Sequence, residues 1–233
     1  MITLYQFHPM LGLPNMSPFC LKLETWLRMA GLAYESHYTN DPRESPLGKL
    51  PSIKVDNRMI PDSTLCIEYL KKKHGIDFDK ALTPEQKAQS HLIKTLLEDR
   101  LYFAALYSRW VDARYWPVLR DTLFGKLPFP VRKVLPGVIQ AKIKRDIQGQ
   151  GTGKHSQEQI YAFAAEDVAT LSVLLGDKTW FLGGDEPTEV DAAAFGLLAQ
   201  LTLISKDSPW PPIVAPYPNL LAYCERMKQR YFP

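Results

Sequence analysis

The 233-residue sequence predicts a small α/β domain followed by an all-α domain. Three observations predict this division. The apolar period switches repeatedly between two and 3.6 in the first third, strand-like alternation disappears after Thr83, and the composition breaks between Asp77 and Thr83. The expected domains are 1–78 and 83–233.

Residues 2–7 alternate as a strand, and a Pro/Gly loop runs from His8 to Asn15. Phe19, Leu23, Trp26, Leu27 and Ala30 then recur at helical spacing up to Gly31, a residue that tolerates positive φ. The aromatic-bounded stretch 34–38 reads as a second strand, which completes a right-handed βαβ crossover. Residues 52–55 and 58–60 form a hairpin around Asp56-Asn57. Ser63 opens a helix with Leu65, Cys66, Tyr69 and Leu70 facing inward. Lys71, Lys72 and Lys73 complement its negative end, and Gly75 closes it.

The second half reads as helices marked by their caps. Thr83-Pro84-Glu85-Gln86 offers an N-cap, Pro at N1 and a reciprocal Gln at N3, so a long helix is expected to run to about Trp116. Ser156 and Gln159 repeat the device before a buried stripe of Ile160, Phe163, Ala164, Val168, Leu171 and Leu175, ended by Gly176. Thr188 and Asp191 begin a third helix through the apolar stretch from Val190 to Ile204, and a last helix spans about 219–229. The capping box accounts for Asp191 without a catalytic role.

Composition narrows the function classes. Cys20, Cys66 and Cys224 form neither a disulfide framework nor a C-x-x-C or zinc-type pair, which points to a reducing compartment and no metal. The first residues lack the pattern of an export signal, so a cytoplasmic protein is expected. The apolar stretch after Val190 is interrupted by Asp191 and Gln200 and is shorter than the roughly 20 residues of a spanning helix, so it reads as core. A net charge of +3 offers no global argument for nucleic acid.

Four segments occur in a telling order: Ser17-Pro18-Phe19-Cys20 opening a helix, Leu50-Pro51 before a strand, Asp62-Ser63 opening a helix, and Phe181-Leu182-Gly183-Gly184-Asp185 before Thr188-x-x-Asp191. Together they resemble the glutathione transferase superfamily. The run from Pro14 to Gly31 is more similar to the failed-axon-connections branch, related to metaxins, than to the plant or mammalian enzyme classes. The resemblance covers both domains and lapses between about Trp116 and His155. It implies a thioredoxin-like N-terminal domain that binds glutathione, a helical C-terminal domain, and a homodimer that packs the first domain of one subunit on the second domain of the other.

A transferase must turn glutathione's weakly acidic thiol into a thiolate, which a hydroxyl donor at a helix N-terminus can stabilise. Ser17, just before Pro18 at N1, has that placement. Taken alone it is an ordinary N-cap; with the resemblance, thiol contact is the favoured reading. Cys20 stands where a thioredoxin C-P-x-C keeps its second cysteine, and Ser17 replaces the first, so no dithiol cycle is available. The helical stripe puts Cys20 beside Phe19 and Leu23 in the core. The resemblance implies that Leu50-Pro51 is the cis-proline loop, with Leu50 pairing to the cysteinyl backbone of glutathione. A plain turn proline is the alternative. Asp62 and Ser63, with free N–H groups of the helix start, suit the γ-glutamyl end. Lys49 is a candidate for the glycyl carboxylate or simply a solvated lysine.

The family precedent places a pocket for a small hydrophobic electrophile near Tyr102, Leu106, Arg109 and Trp110, residues that suit inter-domain core equally well. The segment 113–155 holds nine Lys and Arg against two Asp, interleaved with apolar residues and prolines. It suits either a solvated helix pair over the active site, the preferred reading, or a membrane-surface or partner-binding patch. The expected activity is conjugation of glutathione to an electrophile, or its use against a peroxide. The alternative is a non-catalytic, metaxin-like adaptor.

Overall fold

The computed structural model describes residues 1–203 and 208–233. Ile204, the end of the apolar stretch singled out above, lies outside the described residues.

The first half is a four-stranded mixed sheet with two helices. β1 (Ile2–Gln6), α1 (Pro18–Met29) and β2 (Tyr34–Tyr38) form the expected parallel crossover. β3 (Ser52–Val55) pairs antiparallel with β1 and with β4 (Arg58–Pro61), giving the order β2-β1-β3-β4. Asp56 and Asn57 both take positive φ, 50° and 63°, as the mirror-image turn of a two-residue hairpin requires. α2 (Ser63–His74) ends at Gly75, whose φ is +67°. Its inward face is Ser63, Cys66, Ile67 and Leu70, a spacing of three, four and seven. Leu65, expected to face inward, lies about 150° round the helix from that line and is exposed.

α3 (Pro84–Thr95), a π-helical segment (Leu96–Leu101) and α4 (Tyr102–Trp110) make one rod. The rod stops at Trp110, six residues short of the expectation. The Asp112 carboxylate accepts the Arg114 N–H at 3.0 Å and also binds the Arg114 guanidinium and the Tyr161 hydroxyl, which turns the chain there. α5 (Trp116–Phe124) and α6 (Val131–Gln150) are the solvated pair formed by the basic segment. α6 buries only Pro136 and Ile147 and is tied to α4 by a bond from Gln140 Nε2 to the Trp110 carbonyl at 2.8 Å. α7 (Gln157–Leu175) has the expected stripe except for Phe163, which is exposed, with His155 edge-on to its ring. α8 (Glu189–Thr202), the short α9 (Pro211–Val214) and α10 (Pro218–Tyr231) complete the helical half.

Two cores meet along α1 and α8. Leu4, Leu23, Trp26, Leu27, Ile53 and Ile67 form the core of the sheet half, and Ala192 of α8 joins them. Leu97, Val168, Phe181, Phe195, Leu198 and Tyr223 belong to the helical core, and Leu21 of α1 joins those. All of α8 from Glu189 to Leu201 is buried. Gly196 permits the crossing, because a Cβ there would lie 2.6 Å from the Pro18 carbonyl oxygen and 3.0 Å from the Lys22 nitrogen. The start of α8 is held by Asp191. Its carboxylate accepts from the N–H groups of Phe181 (3.0 Å) and Thr188 (2.8 Å) and from the hydroxyls of Thr188 (3.0 Å) and Tyr223 (3.2 Å).

Two outcomes test this arrangement. Gly196→Ala is expected to force α1 and α8 apart and cost about 1–3 kcal/mol in denaturant unfolding; an unchanged midpoint would show that the crossing tolerates a methyl. Asp191→Ala strands several buried donors and is expected to cost more than about 3 kcal/mol, read as a large loss of thermal stability. A near-native melting temperature would overturn the anchoring role.

Candidate functional site

The loop before α1 is built from buried amides. Asn15, fully buried, donates from Nδ2 to the Phe7 carbonyl (2.6 Å) and to Gln6 Oε1 (3.2 Å), while its Oδ1 accepts the Ser17 N–H (2.9 Å). The helical half holds the same loop from the other side. Arg109 donates to the Met16 carbonyl (2.9 Å) and to Gln200 Oε1 (2.8 Å), and Gln200 donates to the Asn15 carbonyl (3.0 Å). Ser17 therefore sits on a stretch fixed by side chains from both halves. Its Oγ accepts the Cys20 N–H at 3.3 Å, a long capping bond that uses only the acceptor side of the hydroxyl.

The Leu50-Pro51 bond is cis, at the start of β3. Among the described residues neither the N–H nor the carbonyl of Leu50 has a backbone partner, so both can pair with an extended peptide. The Pro51 carbonyl accepts the Asp62 N–H (3.2 Å) and so joins this loop to the start of α2. Asp62 has φ +71°, an uncommon conformation for a residue with a side chain. Its Oδ1 accepts the N–H groups of Thr64 (2.8 Å) and Leu65 (3.2 Å). Those two donors were expected to be free for a ligand and are taken. Asp62 Oδ2 and the buried Ser63 remain for an amino-acid end group. Lys49 is exposed and makes no ion pair among the described residues.

The four residues assigned to an electrophile pocket separate into two pairs. Tyr102 packs edge-on against Phe19, with ring centroids 4.9 Å apart, and burial pushes its phenol up. Phe19, expected in the core beside Cys20, is instead half-buried against this ring. Arg109 is spent on the Met16 and Gln200 bonds, and burial pulls its guanidinium down to about 10. Leu106 and Trp110 are half-buried, and the Trp110 ring lies 5.3 Å from Trp116. The space enclosed by Phe19, Leu97, Tyr102, Ala193 and Leu197 is only about 10 Å³. A wider cleft of about 480 Å³ lies between the π-helical segment, the end of α6 and α7, and it contains none of the expected site residues.

Lys22 was not anticipated. It is buried on α1, yet its ammonium reaches Glu98 (2.6 Å) and the Thr64 hydroxyl (3.0 Å), linking α1, α2 and the π-helical segment beneath the Asp62 loop. Asn15 and Gln200 were missed as well. Gln200 carried the legible signal, since an amide within an apolar helix must find a partner.

Comparison with known proteins shows the family. A profile described as "Glutathione S-transferase N-terminal domain" matches residues 18–115, and one described as "Glutathione S-transferase, C-terminal domain" matches residues 164–227. The isoprene-epoxide–glutathione S-transferase of Rhodococcus sp. is 33% identical over 99% of this chain and 99% of its own length. The chain belongs to the glutathione S-transferase superfamily. Failed axon connections of Drosophila melanogaster is 36% identical over the whole chain, which spans 58% of that protein's length. Mouse metaxin-1 is 31% identical over 95% of the chain and 72% of its own length. Among solved structures, a beta-etherase of Sphingobium superposes with a TM-score of 0.67 at 16% identity, covering 97% of this chain and 94% of that one. A Methylobacterium radiotolerans glutathione S-transferase in complex with glutathione sulfonate superposes with a TM-score of 0.57 at 21% identity, covering 98% and 91%. These two share the superfamily fold.

All three cysteines are buried, and burial pushes each thiol from about 9 up to about 12. Between those values the unfolded chain releases thiol protons that the folded chain keeps. Folding stability is therefore full below about pH 9 and falls as pH rises toward 12, by up to about 1.4 kcal/mol per pH unit per thiol. Native protein at pH 8 is expected to resist a thiol reagent and its melting temperature to decline above pH 9. Rapid labelling of a native thiol, or a melting temperature flat through pH 10.5, would contradict this.

Proposed function

We propose that the chain is a glutathione transferase that uses the Ser17 hydroxyl to hold glutathione as its thiolate and adds that thiolate to a small apolar electrophile. The observation that carries the reading is Ser17 itself: a hydroxyl at the N-terminus of α1, placed by Asn15 from one half and by Arg109 and Gln200 from the other. Lowering the thiol pKa by roughly two units takes about 2.7 kcal/mol, within reach of a hydroxyl hydrogen bond combined with a helix N-terminus. Leu50 would pair with the cysteinyl backbone, Asp62 with the γ-glutamyl ammonium, Ser63 with its carboxylate, and Lys49 with the glycyl carboxylate. Leu106 and Trp110 would face the second substrate.

The Rhodococcus relative makes an epoxide the first electrophile to test. The sulfur attacks a ring carbon, the C–O bond breaks, and the alkoxide takes a proton from solvent. A hydroperoxide is the alternative electrophile: the thiolate attacks its terminal oxygen, the O–O bond breaks and the alkoxide leaves as the alcohol, and a second glutathione then displaces water from the resulting sulfenic acid to give the disulfide. A homodimer of the superfamily type forms part of this proposal.

A non-catalytic adaptor is the second reading. The packed space beside Tyr102 and the metaxin relatives favour it.

Three Ser17 variants separate thiol contact from helix capping. Ser17→Ala is expected to lower kcat/KM by about 100-fold and stability by about 1 kcal/mol. Ser17→Asn keeps a competent cap and is expected to lose turnover alone, while Ser17→Thr keeps both. Unchanged turnover in Ser17→Ala would remove Ser17 from the chemistry. Calorimetry showing no glutathione binding at millimolar ligand would sink the enzyme reading altogether.

A further inference from the structure

Charge is unevenly distributed along this chain. Residues 113–155 carry a net +7, which leaves −4 on the rest of the molecule. No acidic residue lies between Asp121 and Asp146, whereas Lys126, Arg132, Lys133, Lys142, Lys144 and Arg145 do, all exposed and none in an ion pair among the described residues. The basic character is therefore presented to the surroundings rather than neutralised within the fold.

The same segment exposes apolar surface in an ordered way. Val131, Val134, Leu135 and Val138 occupy positions i, i+3, i+4 and i+7 of α6, one face of two turns, and all four are exposed. Phe129 stands at the α5–α6 turn with 70% of its surface free, and the Lys133 ammonium lies 5.5 Å from its ring. Continuing the same helical face leads to Lys142 and Arg145. A stripe of apolar residues that passes into cations and is rimmed by cations has the amphipathic character of a helix lying at a lipid interface.

The shape and the rest of the surface select the occupant. Phe129 lies between Pro128 and Pro130 on a turn whose three residues are all exposed, and it suits insertion into a soft planar layer better than a fit against a rigid partner. The other large exposed apolar side chains, such as Leu47, Leu65, Leu92 and Val173, are scattered singly over separate elements, so a second copy could offer only this same face, whose cations would then oppose their like. No helix among the described residues is long and apolar enough to cross a membrane, so any attachment through this face is peripheral.

We propose that the α5–α6 turn and α6 form a docking surface for an anionic lipid bilayer. Phe129, Val134 and Val138 enter the headgroup region, and Lys126, Arg132, Lys133, Lys142 and Arg145 pair with lipid phosphates and carboxylates. Each cation near such a surface contributes about a fivefold gain in partitioning, weakened by salt. This surface works whether or not the Ser17 site turns over.

Flotation of the full chain with phosphatidylcholine vesicles, with and without roughly a third phosphatidylserine, tests the proposal. Binding at about 50 mM salt is expected to be at least tenfold stronger with phosphatidylserine and to fall steeply at about 500 mM. Phe129→Ser with Val134→Ser is expected to lower binding about tenfold, and Lys126→Gln with Arg132→Gln and Lys133→Gln about a hundredfold. The melting temperature should stay constant in both, since these side chains are solvated. Absence of flotation with anionic vesicles at low salt, or binding indifferent to either set of substitutions, overturns the proposal. So does a sedimentation-detected oligomer that the Phe129/Val134 pair disperses, because that face would then be covered by a second copy.

Discussion

The crossing of α1 over α8 is the contact on which the rest of the molecule depends. Each helix is buried on nearly all sides, and each contributes residues to both cores, Leu21 and Leu23 from one, Ala192 and Phe195 from the other. The close approach at Gly196 brings the Pro18 carbonyl against α8, which fixes where α1 begins. Ser17 precedes that point by one residue. The position of the candidate thiol ligand is thus a consequence of inter-domain packing, and Gln200, one turn further along α8, can bond the Asn15 carbonyl from the same face.

Buried polar groups turn this packing into a specific geometry. Asn15, Arg109 and Gln200 bond one another's neighbours across the boundary, and Lys22 with Glu98 and Thr64 does the same on the far side of α1. At the other end of α8, Glu189 pairs with Lys71 of α2 and Lys94 of α3. Such groups contribute little net stability relative to apolar replacements, but they penalise any alternative docking that leaves one unpaired. The two halves are therefore registered by hydrogen bonds and held by apolar area. The basic segment follows different rules. α6 buries only Pro136 and Ile147 and carries five cations against the single carboxylate of Asp146, so packing within the fold does not account for its composition.

Local chemistry made most elements legible in the sequence. The three capping boxes, the Asp56-Asn57 turn, the Gly75 and Gly176 stops and the ordered superfamily motifs each rest on interactions within a few residues, and strands, helix starts and the two-part architecture follow from them. Ser17, Leu50-Pro51 and Asp62-Ser63 were legible for the same reason, being motifs at element boundaries.

What tertiary structure alone decided concerns which side chains meet. Periodicity could not tell that Leu65 and Phe163 would face solvent, that the long helix would pass through a π-helical segment, or that Asp112 would end it at Trp110. Nor could it show that Arg109 and Tyr102 would be consumed in inter-domain contacts rather than lining an open pocket. A sequence specifies short-range hydrogen bonding and the direction of an apolar face, because both depend on neighbours along the chain. Partners separated by 93 or 185 residues, as in Met16–Arg109 and Asn15–Gln200, are chosen only when two faces close on each other, and here that closure is what builds the site.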